Sequence, residues 1–258
     1  GAISALTDDG YDRSIPPVIT INGANPVTVE LGSTYSDAGA TAVSSRGTSV
    51  TVTTSSNVDT TSVGSYTVTY SATDLNGNTT SATRRVDVED TTAPKVIVTG
   101  NNPATVELGQ SYEDAGATAT DASGTVTVVT TGTVDTNTVG VYTLTYTSTD
   151  ASGNAGTETR TVNVTDTVVP VFTSGATFIV DENQTAVGTV TATDLDTITF
   201  TISGDVLQIT SAGVLSFITA PDYEDSDAGY GGNTVDYTAT VTATDASGNT
   251  ATQVITVM

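Results

Sequence analysis

The chain contains the segment Glu30-Leu-Gly-Ser-Thr-Tyr-Ser-Asp-Ala-Gly-Ala-Thr-Ala42, which returns as Glu107-Leu-Gly-Gln-Ser-Tyr-Glu-Asp-Ala-Gly-Ala-Thr-Ala119. A second phrase, Val63-Gly-Ser-Tyr-Thr-Val-Thr-Tyr70, recurs as Val139-Gly-Val-Tyr-Thr-Leu-Thr-Tyr146. In both copies of this phrase, apolar or aromatic residues alternate with threonine, which is the two-residue period of a half-buried strand. The repeats therefore predict an all-β chain built from tandem copies of one small fold.

Acidic linkers that contain proline divide the copies, at Glu89-Asp-Thr-Thr-Ala-Pro94 and Thr165-Asp-Thr-Val-Val-Pro170. Proline lacks the backbone donor that a continuing strand would need, so each linker ends a copy. The phrase Ala243-Thr-Asp-Ala-Ser-Gly-Asn249 marks a third, diverged copy. Short strands between turn residues, without helical periodicity, predict an extended rod of three immunoglobulin-like antiparallel β-sandwich modules. The expected boundaries are 1–15 for an N-terminal extension and 16–91, 92–167 and 168–258 for the modules.

The composition excludes several classes of function. With Lys+Arg 6 against Asp+Glu 29, the formal net charge of −23 repels nucleic acid phosphates and anionic lipid headgroups. No apolar run is long enough to cross a bilayer, so membrane insertion is not expected. The chain has no Cys and no His, which leaves oxygen atoms as the ligands for a metal and favours Ca²⁺ or Mg²⁺. Its 58 threonines agree with an all-β fold.

Modules 1 and 2 share the patterns Tyr-x-Asp-Ala-Gly-Ala-Thr-Ala, Val-Gly-x-Tyr-x-x-x-Tyr and Thr-Asp-x-x-Gly-Asn. Through these patterns they resemble the bacterial Ig-like repeats of surface proteins, of the hyalin-repeat and DUF5011 kind. The resemblance spans about 150 residues. It implies a secreted or cell-surface protein.

Module 3 contains Val180-Asp-Glu-Asn183, Ala192-Thr-Asp-Leu-Asp196, Asp222-Tyr-Glu224 and Ala243-Thr-Asp245 in that order, and through these motifs it resembles a cadherin repeat. The resemblance implies Ca²⁺ ligands at both poles of the sandwich. The pole toward module 2 would use Asp166, Asp194, Asp196 and Asp245. The opposite pole would use Glu182, Asp222 and Glu224. The family completes that second site with an Asp-x-Asn-Asp-Asn linker, which this sequence does not contain before Met258.

Internal alignment extends the metal hypothesis to the junction of modules 1 and 2. Asp121 aligns with Asp194 and Asp150 with Asp245, so the predicted ligands there are Glu89, Asp90, Asp121 and Asp150. Converging carboxylates repel each other unless a cation lies between them, and Ca²⁺ takes six to eight oxygen ligands. Ser44 occupies the aligned position in module 1, so a metal-free pole is expected there.

Structural roles compete with binding roles at several of these residues. Asp74, Asp150 and Asp245 each open an Asp-x-x-Gly-Asn hairpin, where a short polar side chain caps its own turn. Other residues are expected to be purely structural: Asp37 and Asp114 as turn formers, Glu30 and Glu107 on solvated strand faces, Tyr66, Tyr70, Tyr142 and Tyr146 in the core, and Arg84, Arg85 and Arg160 in surface ion pairs.

The favoured function is a non-enzymatic, Ca²⁺-stiffened structural or adhesive segment of an extracellular bacterial surface protein. Its expected partners are neighbouring modules, copies of itself, or a cell-surface protein or glycan. The alternative is a self-assembling subunit of an S-layer, extracellular filament or virion fibre, which uses the N-terminal extension and the open C-terminal pole. Asp222 with Glu224 as a glycosidase pair, and an isopeptide bond through Lys95, are weaker interpretations because the cadherin-like motif accounts for both acids and Lys95 is the only lysine.

Overall fold

The computed structural model describes residues 12–222 and 236–258, and these residues form strands and no helix. The strands of the first hundred residues are β1 (Val18–Ile21), β2 (Val27–Glu30), β3 (Ala40–Val43), β4 (Ser49–Val50), β5 (Val52–Ser56), β6 (Gly64–Thr73), β7 (Thr79–Glu89) and β8 (Lys95–Val98). Next come β9 (Ala104–Glu107), β10 (Ala117–Thr120), β11 (Val128–Thr131), β12 (Gly140–Thr149) and β13 (Ala155–Thr165). The last group is β14 (Val171–Phe172), β15 (Thr177–Phe178), β16 (Ala186–Thr189), β17 (Ala192–Thr193), β18 (Thr199–Ile202), β19 (Leu207–Ile209), β20 (Val214–Phe217), β21 (Tyr237–Thr244) and β22 (Thr250–Val257).

The all-β prediction is confirmed, and so is the period of two in the repeated phrases. Along β6, Val68 and Tyr70 are buried while Thr67 and Thr69 point toward solvent. Strand β12 repeats the pattern with Leu144 and Tyr146. Of the predicted N-terminal extension, residues 1–11 lie outside the described residues, as does Glu224.

The described residues divide into two compact units, and the first comprises residues 12–100, 115–131 and 145–159. It contains a sheet in the order β1-β3-β4 and another in the order β2-β7-β6-β5. Ile19 and Ile21 from the first sheet pack against buried Val68, Tyr70 and Val86 from the second. This apolar layer between two sheets is that of a β-sandwich.

The second unit comprises residues 101–114, 132–144, 160–222 and 236–258. Its sheets include β15-β22-β21-β18 and β16-β20-β19, together with the β14-β17 pair. Phe200, Val241 and Ile255 of the first of these sheets share one buried cluster with Leu215 and Phe217 of the second. A second sandwich core is therefore present in this unit.

Among the described residues, three parallel strand pairs set a short strand beside the last strand of a repeat. β2 lies parallel to β7, β9 to β13, and β15 to β22. The first pairing sets Glu30 beside Glu89, so the Glu30 carboxylate accepts hydrogen bonds from the backbone N–H and hydroxyl groups of Thr91 and Thr92. Glu107 likewise accepts from the N–H and hydroxyl of Thr167. Both glutamates lie partly exposed on their strands, and each one also holds a linker.

The prediction of surface ion pairs is wrong for two of the three arginines. Arg84 is 1% exposed, and its guanidinium donates to the Asp37 carboxylate and to the carbonyl of Asn22. Arg160 is equally buried and forms an ion pair of 3.0 Å with Asp114. Asp37 and Asp114 are therefore more than turn formers. Only Arg85 is exposed, and it pairs at 2.7 Å with Asp87 on its own strand.

Gly156 makes a close approach that leaves no room for a side chain. A Cβ at this residue would lie 1.9 Å from the carbonyl oxygen of Pro94. We expect Gly156→Ala to destabilise the chain by about 1–3 kcal/mol, because the backbone must shift to relieve the overlap. Urea unfolding followed by circular dichroism measures the change. Gly175→Ala is the matched control, since a Cβ there meets nothing within 4 Å, and an equal loss in both variants would contradict the explanation.

Candidate metal centre

The Asp-x-x-Gly-Asn hairpins hold their leading aspartates rigidly. Asp150 accepts hydrogen bonds of 2.9 Å from the backbone N–H groups of Ser152 and Asn154. Its second oxygen accepts from the Asn154 side-chain amide at 2.8 Å. Asp245 accepts from the N–H and side chain of Asn249 in the same way, both at 2.8 Å. The turn role predicted for these aspartates is therefore real, and it fixes the carboxylates in place.

The same asparagine amides connect each hairpin to an incoming linker. Asn154 Nδ2 donates to the main-chain oxygen of Asp90 at 3.0 Å, and Asn249 Nδ2 donates to that of Asp166 at 3.1 Å. Because Asp90 follows β7 and Asp166 follows β13, each amide brings a linker aspartate beside the aspartate of a hairpin. The sequence pattern did not predict this role of Asn154 and Asn249, although both are the last residue of the repeated hairpin motif.

Two groups of three carboxylates result from these contacts. In the first cluster (Asp90, Asp121 and Asp150) one oxygen from each residue lies within 4.8 Å of the other two. The second cluster (Asp166, Asp194 and Asp245) meets the same limit. Each cluster therefore joins the end of an outgoing strand, the end of a short edge strand, and a hairpin.

Without a counter-ion, burial and mutual repulsion disfavour the ionised carboxylates of the linker aspartates in both clusters. Asp90 is 7% exposed and Asp166 is 8% exposed. Burial raises the pKa of Asp90, and the neighbouring charges of Asp150 and Asp121 raise it further. Burial likewise raises the pKa of Asp166, with Asp194 and Asp245 adding to the effect and the N–H of Val168 opposing it. Both linker aspartates thus carry a cost that a cation would remove.

In the same clusters, the pKa values of the two hairpin aspartates are shifted in the opposite direction. Burial pushes the pKa of Asp150 upward, but the hydrogen bonds from Asn154, Ser152 and Gly153 outweigh it and lower the pKa. Asp245 follows the same pattern through Asn249, Gly248 and Ser247. Each cluster therefore contains a carboxylate that stays ionised at neutral pH and is already aimed at the others.

Several oxygen atoms in the clusters are buried and accept no hydrogen bond. They are Asp90 Oδ1 in the first cluster and Asp166 Oδ2 and Asp194 Oδ2 in the second. A buried acceptor without a partner costs about 1–3 kcal/mol, and more when it is charged. A bound cation would give these oxygens the partner that the protein does not, so the donor set fits an oxygen-coordinated metal such as Ca²⁺.

The remaining predicted ligands lie outside these two groups. Glu89 is exposed, because neighbouring residues of a strand point to opposite faces and Asp90 takes the inward side. Asp196 is half-buried beside the second cluster, where it accepts a 3.5 Å hydrogen bond from Ser247. Glu182 and Asp222 are exposed and belong to neither cluster. Glu224 lies outside the described residues.

Comparison with solved structures finds cadherin ectodomains at low sequence identity. Drosophila N-cadherin EC1-4 is 18% identical over 94% of this chain and 75% of that chain, with a TM-score of 0.39. Domains 1–5 of protocadherin gamma B2 are 18% identical over 95% of this chain, with a TM-score of 0.40, and the chain spans 60% of their length. Mouse cadherin-23 EC22-24 is 16% identical over 93% of this chain and 98% of that chain, with a TM-score of 0.34.

A search of curated protein sequences finds no relative. Across the described residues, no helix has the length and apolar character needed to span a membrane. A family model described as "Bacterial surface protein, Ig-like domain" matches residues 19–88 and 96–164, which together are more than half of the chain. These two matches coincide with the repeats compared above with bacterial surface proteins, and the chain belongs to this family of bacterial surface Ig-like domains.

Proposed function

We propose that the chain is a structural and adhesive segment of a bacterial surface protein in which Ca²⁺ binds at the two acidic clusters. The observation that supports this is the convergence of three carboxylates in each cluster, with buried oxygens that accept no hydrogen bond. Membership of the family indicates a location at the bacterial surface, and the clusters contain the oxygen donors that Ca²⁺ binds.

Bound Ca²⁺ would tie together three chain segments in each cluster. In the first cluster these are the ends of β7, β10 and β12, and in the second the ends of β13, β17 and β21. Without the ion, repulsion between the carboxylates works against the asparagine amides that hold the same segments. The ion therefore stiffens the connection between an outgoing strand and the sandwich that follows it, which is a mechanical role and requires no catalysis.

The second cluster is expected to bind Ca²⁺ more tightly than the first. Asp196 lies beside the second cluster and provides a fourth carboxylate, whereas the corresponding residue two positions after Asp121 is Ser123. Calcium affinity rises with the number of charged ligands, although the rigidity of the site also matters. Neutral oxygens from the backbone or from water would complete the coordination of either ion.

Isothermal titration calorimetry tests the proposal directly. We expect Ca²⁺ to bind the metal-free chain in two distinguishable phases at neutral pH, with the tighter phase lost in Asp245→Asn and the weaker one in Asp150→Asn. Asparagine keeps nearly the same volume and one oxygen that can accept from the backbone N–H groups of the hairpin, but it loses the negative charge and the second acceptor oxygen. The matched control is Asp205→Asn, an exposed aspartate in neither cluster. A wild-type titration without heat or retained ion would refute the metal role.

A further inference from the structure

A short turn of the second repeat, residues 107–109, contacts the linker that carries one aspartate of the second cluster. The turn and the cluster lie in the same compact unit. The N–H of Leu108 donates to the carbonyl of Thr165 at 2.8 Å. The carboxylate of the turn's glutamate accepts from the N–H of Thr167 at 2.6 Å and from its hydroxyl at 2.8 Å. These bonds hold the residues on both sides of Asp166.

The same turn also contacts the loop between β17 and β18, which carries Asp194 and Asp196. Leu195 lies between these aspartates, and its Cδ1 atom would be 2.8 Å from a Cβ placed on Gly109. This methyl group therefore lies within van der Waals reach of the glycine, at a distance that leaves no room for a side chain there. Leu195 is 72% exposed, so the contact belongs to the rim of the cluster and not to the core of a sandwich.

The first cluster has the same arrangement with a smaller side chain. Its turn, residues 30–32, contacts the first linker through its glutamate and its leucine. The residue after the middle aspartate of this cluster is Ala122, whose Cβ would be 3.8 Å from a Cβ placed on Gly32. The contact between turn and loop thus occurs in both junctions, and Leu195 makes it closer in the second.

The loop's own hydrogen bonds order it only internally. The N–H of Asp196 donates to Asp194 Oδ1 at 3.1 Å, and the N–H of Thr197 donates to Asp196 Oδ1 at 2.7 Å. Both bonds join residues one or two positions apart, so they do not fix the loop against the linker. The contact of Leu195 with Gly109 connects the loop to the turn that already holds the linker.

We propose that residues 107–109 are a positioning element of the second cluster, and that Leu195 is the side chain through which they act on its loop. The inference rests on the proposed Ca²⁺ role and extends it to residues that do not touch the ion. One turn holds Asp166 through the linker and Asp194 through Leu195. Placing both carboxylates before the ion arrives reduces the conformational freedom lost on binding and so raises the affinity.

A double-mutant cycle followed by isothermal titration calorimetry tests the proposal. Leu195→Ala gives the second loop the side chain of the first, and we expect it to weaken Ca²⁺ binding at the second cluster by about threefold to tenfold. Loss of an outer partner that hydrogen-bonds a metal ligand typically costs about 10–100-fold, and this contact is weaker. Gly109→Ala should weaken the same binding phase, because its Cβ displaces Leu195. In the Leu195→Ala background, Gly109→Ala should add little.

Two matched controls isolate the contact. Leu75→Ala truncates an exposed leucine of the first repeat's hairpin, which belongs to neither cluster, and should leave both binding phases unchanged. Gly32→Ala introduces a side chain at a φ of 76°, close to the 74° of Gly109, so it carries the same backbone strain without displacing a leucine. It should affect the first cluster less than Gly109→Ala affects the second.

Nuclear magnetic resonance in EDTA tests the contact without metal. We expect a nuclear Overhauser effect between a methyl group of Leu195 and the α protons of Gly109 in wild type. Its absence overturns the positioning role, as do a Leu195→Ala variant with wild-type Ca²⁺ affinity and fully additive losses in the cycle. These results leave Ca²⁺ binding in place and so contradict this inference alone. A wild-type chain that binds no Ca²⁺ overturns the metal role together with it.

Discussion

Adding Ca²⁺ to the metal-free chain is expected to raise its melting temperature by about 5–10 °C for each cluster that is filled. A ligand at a hundred times its dissociation constant adds about 2.7 kcal/mol when it binds only the folded chain. In domains of this size, 1 kcal/mol corresponds to about 2–4 °C. Differential scanning calorimetry with and without EDTA measures the shift.

The Asp166→Asn variant should change the melting temperature in opposite directions with and without Ca²⁺. Burial and the charges of Asp194 and Asp245 raise the pKa of Asp166, so its ionised form destabilises the metal-free fold at neutral pH. The amide removes that charge, and we expect the variant to melt at or above the wild-type temperature in EDTA. In Ca²⁺ it should melt below wild type, because the second cluster has lost a charged ligand.

The pH dependence of this effect has a definite sign. Because the folded pKa of Asp166 lies above its unfolded value, acidification through that folded pKa protonates it in the fold and relieves the cost. In EDTA, the difference in melting temperature between Asp166→Asn and wild type should therefore shrink as the pH falls through the folded pKa of Asp166. Asp205→Asn is the control at an exposed site. Equal melting temperatures with Ca²⁺ and with EDTA in wild type would contradict the metal role of both clusters.

Replacing Arg84 by methionine is expected to cost about 3–5 kcal/mol, because it leaves the Asp37 carboxylate without its buried partner. Arg84 is held by Asp37, by the Asn22 carbonyl and by the ring of Tyr70, whose centroid is 5.7 Å from its guanidinium carbon. Methionine preserves much of the apolar length of arginine, so the loss reports on the ion pair and its hydrogen bonds. Urea unfolding of the full chain measures it.

The control for Arg84→Met is Arg85→Met on the same strand. Arg85 is exposed and pairs with Asp87, and a surface pair of this kind contributes about 0–1 kcal/mol. Similar losses in the two variants would contradict the assignment of Arg84 to the core. A cost well below 1 kcal/mol for Arg84→Met would do the same.

Asp37 should make this region sensitive to acid. Burial pushes its pKa upward, but hydrogen bonds from Tyr70 at 2.6 Å and Tyr35 at 3.0 Å, with the charge of Arg84, lower it overall. Its contribution is therefore complete above the ordinary aspartate pKa and is lost as the pH falls through the lowered folded value. Asp37→Asn should flatten the stability profile in that acidic range, as measured by urea unfolding at a series of pH values.

Local sequence patterns predicted the all-β fold and the two longest repeated strand phrases. Threonine alternating with valine, leucine and tyrosine predicts β6 and β12 because side chains alternate between the two faces of any strand. The Asp-x-x-Gly-Asn motif predicts a turn because its hydrogen bonds run between residues two to four apart. Internal alignment then placed Asp90, Asp121 and Asp150 together, and the cadherin-like motifs placed Asp166, Asp194 and Asp245 together.

The sequence by itself thus determined the all-β fold and the repeats, which follow from local periodicity and turn chemistry. The six clustered aspartates were predicted by aligning the repeats with each other and by the cadherin-like motifs. Tertiary structure alone decided which polar side chains are buried, because burial depends on strand pairing between distant residues. Arg84 meets Asp37 across 47 positions, and Glu30 reaches Thr91 across 61. The same pairing turns Asp90 inward and Glu89 outward.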